Sequence, residues 1–350
     1  MKITKFRAAT VHDKDYVLDF CKNTFSWGDY IDRVWDIWIR EPNSLFLVAV
    51  NLNEEDKIEK PIAIAHGILI PEKIIWIEGI RVDPKHRSHK LATNMSLHIL
   101  DYAKKQGVIY SSAIVSINNE ASKGLMEKLG FTVISTWSYL SIKPIVLPAL
   151  NNFNKDNASS SSSSSSFIKV ANLNEYQLVL NFLNQSDTFK NSGKKFVNSW
   201  RWYDLTENRL KMMIKKKQVI FVDDDVDNDN DKDTAKLKKG VNKKIRGIAI
   251  IDDEGYWNND NILQIVYIDA DSDELLLSLV IKSLELITVI ENKKNEDNKK
   301  MSIKNKYNKN NNIYERVQIF SPSPIKENSL IFHKFNVNFS EQFLLYHKEI

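Results

Sequence analysis

The sequence predicts a mixed α/β protein (α+β in the order of its elements) with two domains, each with a central, mostly antiparallel sheet flanked by helices. Three observations support this. The 350 residues exceed what one domain usually holds. A serine-rich tract at residues 151–166 divides the chain into two parts of similar size. Several strands in the first part follow one another directly, which excludes a wholly parallel sheet.

The first part is predicted from its hydrophobic periodicity. Alternating apolar residues indicate strands, and apolar residues spaced three or four apart indicate helices, as for Leu91, Met95, Ile99 and Tyr102. Gly130 ends the last helix. The predicted order is strand 3–8, helices 11–23 and 30–40, strands 45–51, 61–70 and 74–82, helix 87–106, strand 109–116, helix 119–129 and strand 131–142.

Composition restricts the function classes. There are 49 Lys and Arg against 45 Asp and Glu, so the formal charge is only +4, and we expect no nucleic-acid partner. Cys21 is the only cysteine, which excludes an intrachain disulfide and favours the cytosol or nucleus. No stretch has the pattern of a signal peptide or a membrane span, so we expect a soluble protein without a membrane partner.

Two motifs lie in the first part. One is Ile77-Glu-Gly-Ile-Arg-Val-Asp-Pro-Lys-His-Arg87 with its following helix, and the other is Asn119-Glu-Ala-Ser-Lys-Gly-Leu-Met-Glu-Lys-Leu-Gly-Phe131. Together they resemble the acetyl-CoA site of the GNAT superfamily of N-acetyltransferases, and the resemblance covers residues 3–142. It implies a GNAT acetyltransferase domain at residues 1–150 that uses acetyl-CoA as co-substrate, without a metal.

The resemblance places a phosphate-binding loop at the start of the helix after the first motif. Helix N-termini offer free backbone N–H groups and a partial positive charge to an anion. The family pattern Gln/Arg-x-x-Gly-x-Gly/Ala reads here Arg87, Ser88, His89, Lys90, Leu91 and Ala92. Lys90 replaces a glycine, although its ammonium compensates in part as a point charge. An ordinary solvated basic helix start is the alternative.

Glu78 is the candidate general base, because the acceptor ammonium must lose a proton before it attacks the thioester. Strict alternation predicts that Glu78 shares a face with Trp76, Ile80 and Val82, opposite Ile77, Gly79 and Arg81. Burial among apolar neighbours is expected to raise the pKa of Glu78. A structural ion pair is the alternative. By resemblance, backbone N–H groups near Ile80, Arg81 and Val82 polarise the thioester carbonyl.

The remaining site residues follow from the resemblance. Met126 stands where the family often has a tyrosine that protonates the CoA thiolate, so Tyr139, or else Tyr110 or solvent, is the candidate acid. Asn119 is a candidate pantetheine ligand or simply a helix N-cap. The acceptor wall would contain Trp27, Asp29 and Tyr30, with Asp32 as a further carboxylate, unless this loop is only solvated. His86 and His89 lack further ligands at a metal-binding spacing.

Residues 167–350 repeat the first part weakly, as a degenerate GNAT-like domain after the 151–166 linker. Strand, helix and loop matches recur in the same order, with polar insertions at residues 223–244 and 291–312. The turn that matches the phosphate loop is Asp269-Ala-Asp-Ser-Asp-Glu, which would repel pyrophosphate. We therefore expect one CoA site in the chain.

The leading hypothesis is transfer of an acetyl group from acetyl-CoA directly to a primary amine of a small molecule, amino acid or peptide. Lys90 and Met126 motivate the alternative, a catalytically weak or inactive acyl-CoA sensor or interaction protein.

Overall fold

The computed structural model describes residues 3–25, 28–52, 59–143, 167–223, 244–252, 262–299 and 316–350. The serine-rich tract, most of the other two polar tracts and Trp27 lie outside these ranges. In the described part of the chain, no helix combines the length and the apolar character needed to cross a membrane.

The chain divides into two compact units. The first contains Met1–Ile134 together with Leu344–Ile350, and the second contains Ser135–Phe343. The division therefore falls within a strand after Ile134 and not at the serine-rich tract. The last seven residues of the chain belong to the first unit.

The first unit has the predicted order of elements. A 3₁₀ turn over Val11–Asp13 precedes the first helix, so that helix starts later than its periodicity suggests. The elements are β1 Ile3–Ala8, α1 Lys14–Cys21, α2 Ile31–Trp38, β2 Ser44–Leu52, β3 Glu59–Ile70, β4 Ile74–Val82, α3 Leu91–Lys105, β5 Tyr110–Ser116, α4 Glu120–Lys128 and β6 Thr132–Lys143.

The sheet of the first unit is antiparallel from β1 to β4 and parallel between β4 and β5. Helix α3 packs on one face, where Met95 and Ile99 are fully buried against the strands. Helices α1 and α2 carry a second set of buried side chains, including Trp35 and Trp38. Both faces of β3 are therefore covered, which explains its nearly continuous apolar sequence.

The C-terminal residues complete the sheet of the first unit. The last strand, β14 (Asn336–Glu349), lies next to β5, and the Ile350 amide donates to the Ile109 carbonyl at 2.9 Å. Tyr346 is 1% exposed and belongs to the same apolar core as Met126. The fold of the first unit therefore depends on residues more than 200 positions away in sequence.

Strand β4 contains a β-bulge at Gly79. His66 of β3 pairs with Glu78, but Ile64 pairs with Arg81, so β4 has one more residue than β3 between these pairs. Gly79 has φ +64°, and a Cβ there would lie 2.4 Å from Cη2 of Trp38. Only glycine fits both the conformation and the space.

The bulge corrects the alternation predicted for β4. Before it, Ile77 points into the α3 core, and after it Ile80 and Val82 pack against that same core. Glu78 and Arg81 instead lie together on the α1–α2 face, where they contact His66 and Asp29 respectively. The prediction that Arg81 lies opposite Glu78 is therefore wrong, because the extra residue inverts the alternation.

The second unit repeats the predicted order with additional elements. Its elements are β7 Phe167–Val170, α5 Tyr176–Gln185, α6 Asp187–Asn191, β8 Lys195–Asn198, β9 Arg201–Asp204, α7 Glu207–Lys215, β10 Val219–Asp223, β11 Ile245–Asp252, β12 Ile262–Ala270, α8 Asp273–Lys299, β13 Arg316–Ser321, α9 Leu330–Lys334 and β14. Strands β8 and β9 pair as an antiparallel hairpin. Residues 291–299, which begin the second predicted polar insertion, continue helix α8.

The C-terminal strand gives the first prediction. Replacing Tyr346 by Ala removes a buried aromatic ring and should lower the free energy of unfolding by about 3–5 kcal/mol. Glu349→Ala, an exposed position on the same strand, should change it by less than about 0.5 kcal/mol. Urea unfolding followed by circular dichroism measures both, and equal small effects would show that the strand does not stabilise the fold.

The bulge gives the second prediction. Gly79→Ala should destabilise the protein by at least about 2 kcal/mol, because the new methyl group meets Trp38 and φ is positive. The matched control is Gly124→Ala in α4, where no atom lies within 4 Å of the added Cβ. That substitution should stabilise the protein by about 0.5–1 kcal/mol. The same sign for both variants in thermal unfolding would contradict this account of the bulge.

Candidate active site

Strands β4 and β5 are joined over only part of their length. Their parallel pairing covers Ile74–Trp76 with Tyr110–Ser112. Beyond these pairs β4 continues to Val82 and β5 to Ser116, with no further ladder between these two described strands. The edge of β4 that faces β5 therefore presents backbone N–H and C=O groups to which an extended ligand can hydrogen-bond.

The unpaired end of β4 leads into the predicted phosphate loop. Arg87, Ser88, His89 and Lys90 are exposed, whereas the side chain of Leu91 is buried in the core. Ser88 and Lys90 have φ of 66° and 58°, the left-handed region that glycine occupies most easily. Lys90 thus has the backbone conformation of the glycine it replaces, and its side chain does not cap α3.

Hydrogen bonds hold this loop in place. Asp83 accepts from the Lys85 amide at 3.0 Å, and its other oxygen lies 3.2 Å from Nδ1 of His86. Nε2 of His86 then accepts from Asn51 Nδ2 at 3.1 Å. His89 Nδ1 donates to the Arg87 carbonyl at 2.8 Å. The two histidines therefore have structural contacts. The N–H groups of Leu91 and Ala92, at the start of α3, belong to the first turn, which has no acceptor within the helix.

Glu78 forms a hydrogen-bonded cluster with a buried histidine. Its Oε1 accepts from Nδ1 of His66 at 2.9 Å, and its side chain is 14% exposed, as the sequence predicted for a partly buried carboxylate. On the other side of the ring, Oε2 of Glu41 lies 3.7 Å from Nε2. His66 is fully buried, and Nε2 has no hydrogen-bond partner among the described residues.

Aromatic side chains fix the ring of His66. Trp38 stacks on it with a centroid distance of 4.4 Å and an interplanar angle of 8°. Phe46 contacts it edge-on at 5.6 Å. The imidazole therefore cannot turn without displacing two core side chains.

Arg81 forms a second polar cluster on the same face of β4. It donates from Nε and Nη2 to the two oxygens of Asp29 at 2.7 and 3.2 Å. The guanidinium lies over the rings of Phe25 and Tyr30, each at 5.1 Å. Burial opposes its charge, but Tyr30 and Asp29 raise the pKa of Arg81 overall. Desolvation also raises the pKa of Tyr30.

These contacts bear on the predicted acceptor-binding residues. Both oxygens of Asp29 accept from Arg81, and its side chain is 4% exposed, so its charge is already balanced. Asp32 is 67% exposed and lies 3.3 Å from Lys14. Tyr30 packs edge-on against Trp38, and Trp27 lies outside the described residues. Acceptor binding by these residues stays a prediction.

Two other predicted residues have structural contacts. Asn119 accepts from the Ser122 amide at 3.1 Å, so it serves as the N-cap of α4. Tyr139 lies in the second unit, where it packs against Trp200 and accepts a hydrogen bond from Gln318 at 3.1 Å. Burial raises the pKa of Tyr139 to about 12. It is a core residue there and does not belong to the unit that holds Glu78.

The sequence reasoning missed three residues of this region. His66 is the one polar side chain in the apolar run 61–70, which was a usable signal. Glu41 follows α2 and gave no signal. His347, in the C-terminal strand, accepts or donates a hydrogen bond of 2.9 Å with Ser112, which lies on β5 opposite Trp76. Only the fold brings His347 to this strand.

Glu41, His66 and Glu78 lie close together and are of the residue types that bind metal ions. One ligand atom from each lies within 4.8 Å of the others, which is close enough to share a cation. However, Nδ1 of His66 is already engaged by Glu78, and the two ring nitrogens point toward different carboxylates. The geometry fits a hydrogen-bonded pair of His66 and Glu78 better than a shared ion.

Residues 14–131 match the acetyltransferase (GNAT) family. The chain is similar in structure to a GCN5-related N-acetyltransferase from Sphaerobacter thermophilus, with a TM-score of 0.54 and 10% identity, over 99% of this chain and 95% of that one. This likeness concerns the fold. No curated protein sequence matches significantly.

Two further solved structures are similar over different shares of the chain. A GCN5-related N-acetyltransferase from Kribbella flavida matches 99% of this chain and 71% of its own at 12% identity, with a TM-score of 0.42. Arabidopsis thaliana NAA60, solved with a bisubstrate analogue, matches 38% of this chain and 87% of its own at 14% identity, with a TM-score of 0.34. The family match runs from the start of α1 to just after α4, and this range includes β4, β5, the α3 loop and Glu78. Residues 14–131 therefore form an acetyltransferase domain of the GNAT family.

Proposed function

We propose that the first unit transfers the acetyl group of acetyl-CoA directly to a primary amine of a small molecule, amino acid or peptide, in the cytosol or nucleus. The observation that carries the proposal is the continuity of three features along the chain. Glu78, the unpaired end of β4 and the α3 loop follow one another within residues 78–92. These three features match the thioester, the pantetheine arm and the pyrophosphate of acetyl-CoA, in that order.

Binding of the CoA part would use backbone groups and two basic side chains. The pyrophosphate would lie against the N-terminus of α3, where the first N–H groups of the helix are free for an anion. Arg87 and Lys90 are exposed beside it and add positive charge. The pantetheine arm would extend along the unpaired edge of β4, with its amides bonded to the strand.

The transfer step would use Glu78 as general base. Glu78 takes one proton from the acceptor ammonium, the neutral nitrogen forms a C–N bond with the thioester carbon, and the C–S bond breaks so that its electron pair leaves with sulfur. The nitrogen gives up a second proton as the amide forms and the CoA thiolate takes up one, so the net product is one proton, which Glu78 holds. Backbone N–H groups of residues 80–82 would stabilise the oxyanion. Leu91 and Ala92 would take no part in this step and would bind the pyrophosphate only through their backbone N–H groups.

Direct transfer is favoured over an acyl-cysteine intermediate. Cys21 is the only cysteine of the chain and is 1% exposed. Desolvation raises the pKa of its thiol to about 12, so it is not a nucleophile at neutral pH.

Protonation of the CoA thiolate needs a donor other than Met126, which is buried in the core. Within the first unit, the Ser112–His347 pair lies on the strand next to β4, at the last residue paired with it. This pair is a better candidate donor than Tyr139, which is buried in the core of the second unit.

The second unit is proposed to lack a CoA site. Strands β12 and β13 are its counterparts of β4 and β5. They are linked beyond their ladder, because the Ser321 hydroxyl donates to the Ile268 carbonyl at 3.3 Å. Within the ladder, Gln264 donates to Gln318 at 2.6 Å. Asp273 and Glu274 occupy the first turn of α8, where an anion would bind. A closed strand pair and an acidic helix start both oppose CoA binding.

Calorimetry with acetyl-CoA tests the binding site. Arg87→Ala and Lys90→Ala should each weaken binding about 3–10-fold and reduce its salt dependence, since each removes one charge beside the phosphates. Lys104→Ala, which removes the same charge near the other end of α3, is the control and should change affinity less than twofold. A stoichiometry of one is expected, whereas two would contradict the degenerate second unit, and no binding would contradict the proposal.

Turnover tests the base. Free thiol release is measured with alkylamines, spermidine, the free amino acids and a peptide with a free N-terminus. Glu78→Gln keeps the shape of the side chain but cannot take a proton, so turnover should fall at least about 100-fold with acetyl-CoA affinity unchanged.

Glu120→Gln, an exposed carboxylate on α4, is the control and should keep full activity. Unchanged rates in Glu78→Gln would remove Glu78 from the mechanism. Acetyl-CoA binding without turnover of any acceptor would favour the alternative, an acyl-CoA sensor.

A further inference from the structure

Helices α1 and α2 are each joined to the sheet by an arginine–aspartate pair at their start. Arg7 of β1 donates to both oxygens of Asp13, the residue before α1, at 2.8 Å each. Arg81 of β4 donates to both oxygens of Asp29, two residues before α2, at 2.7 and 3.2 Å. The two arginines lie in one row of the sheet, with one residue of β2 and one of β3 between them. Only the second pair lies at residues 80–82, whose N–H groups are proposed to stabilise the oxyanion.

Asp29 is engaged on both of its oxygens. Besides the two bonds from Arg81, its Oδ1 accepts from the Ile31 amide at 3.2 Å, which holds the first turn of α2. The side chain is 4% exposed. An acceptor ammonium could reach this carboxylate only by displacing Arg81, and removing one partner of a buried ion pair leaves a costly unpaired charge. These contacts fit a structural anchor better than the acceptor ligand that the sequence predicted.

Arg81 connects this anchor to two aromatic rings. Its guanidinium lies 5.1 Å from the ring centroids of Phe25 and Tyr30. Its Nη1 also donates to the carbonyl of Ile80 at 3.0 Å, which fixes the arginine to its own strand. Phe25 is 36% exposed and Tyr30 is half-buried, so both residues keep surface that an acceptor can reach.

We propose that Arg81 and Asp29 are positioning residues, which hold Phe25 and Tyr30 against the end of β4 so that these two side chains form the wall beside the acceptor amine. The proposal rests on the proposed function, because it assigns the acceptor side of that same site. A wall fixed in this way holds the amine nitrogen close to the thioester carbon, which lowers the entropy cost of the transfer.

The test uses substitutions that remove the ion pair and keep its shape. Asp29→Asn retains an oxygen for the Ile31 amide, and Arg81→Met retains an unbranched chain beside the two rings. Each variant should lower kcat/KM for the amine at least about tenfold through a higher KM, because the wall loses its anchor. The affinity for acetyl-CoA should stay within about twofold of the parent, since the α3 loop is unchanged. The substrates are acetyl-CoA and the panel amine with the highest turnover.

The double variant, Asp29→Asn with Arg81→Met, shows whether the two residues act as a pair. It should lose no more than about twice what the single variants lose, because each single substitution already breaks the pair. The double variant also leaves neither charge of the pair unpaired, so it provides the test even if a single variant does not fold.

The pair at the start of α1 provides the matched control. Arg7→Met with Asp13→Asn removes an ion pair of the same kind, from the same row of the sheet, and should also lower the melting temperature. Its kcat/KM for the amine should stay within about twofold of the parent, because this pair holds α1 and not the acceptor wall. A purely structural role for both pairs would instead lower the activity of the two double variants alike.

The outcomes separate the two proposals. A lower KM for the amine in Arg81→Met would show that the released Asp29 binds the acceptor directly, and it would overturn the positioning role alone. Equal losses in the two double variants, or an unchanged KM for the amine, would overturn it as well. A parent that turns over no amine overturns the proposed function and this role together. A loss confined to the amine, and to the Asp29 and Arg81 variants, supports the positioning role.

Discussion

The close approach of Trp38 to the backbone of β4 is the constraint on which the rest of the site depends. A Cβ at position 79 would lie 2.4 Å from the indole of Trp38. The residue where β4 passes this ring is therefore a glycine, and it has a left-handed backbone conformation. The resulting bulge inverts the alternation of the strand. It thereby puts Glu78 and Arg81 on one face, next to His66 and Asp29. Without the extra residue, one of these polar side chains would point into the apolar core behind α3.

The same indole links the bulge of β4 to Glu78. Trp38 stacks on His66, and His66 donates to Glu78, so one aromatic side chain determines both where β4 bends and how its carboxylate is held. The two units of the chain differ at the corresponding strands. In the first, pairing between β4 and β5 ends at Trp76, whereas in the second a Ser321 contact extends the link between the strands. If the second unit is a degenerate copy of the first, as we propose, this difference would explain why only one of them binds CoA.

Much of the first unit could be predicted from sequence, because helix and strand periods are local signals. All ten of its predicted elements occur in the predicted order. The inverted faces of β4 could not be predicted from alternation, although a glycine inside a strand is a recognised sign of a bulge. The C-terminal strand joins the first unit through pairing across more than 200 residues, for which one sequence gives no signal. For the same reason the sequence gives no indication of His347. Tyr139 is close to the first motifs in sequence, which made it a candidate, but it belongs to the second unit.

A crystal structure of the full chain with CoA would locate the acetyl-CoA site directly. We expect one CoA per chain, with its pyrophosphate at the N-terminus of α3, its pantetheine arm along residues 77–82 of β4 and its sulfur near Glu78. We also expect the hydrogen bond between His66 and Glu78 to persist in the complex. CoA bound elsewhere, or with its sulfur away from Glu78, would contradict the assignment of this site.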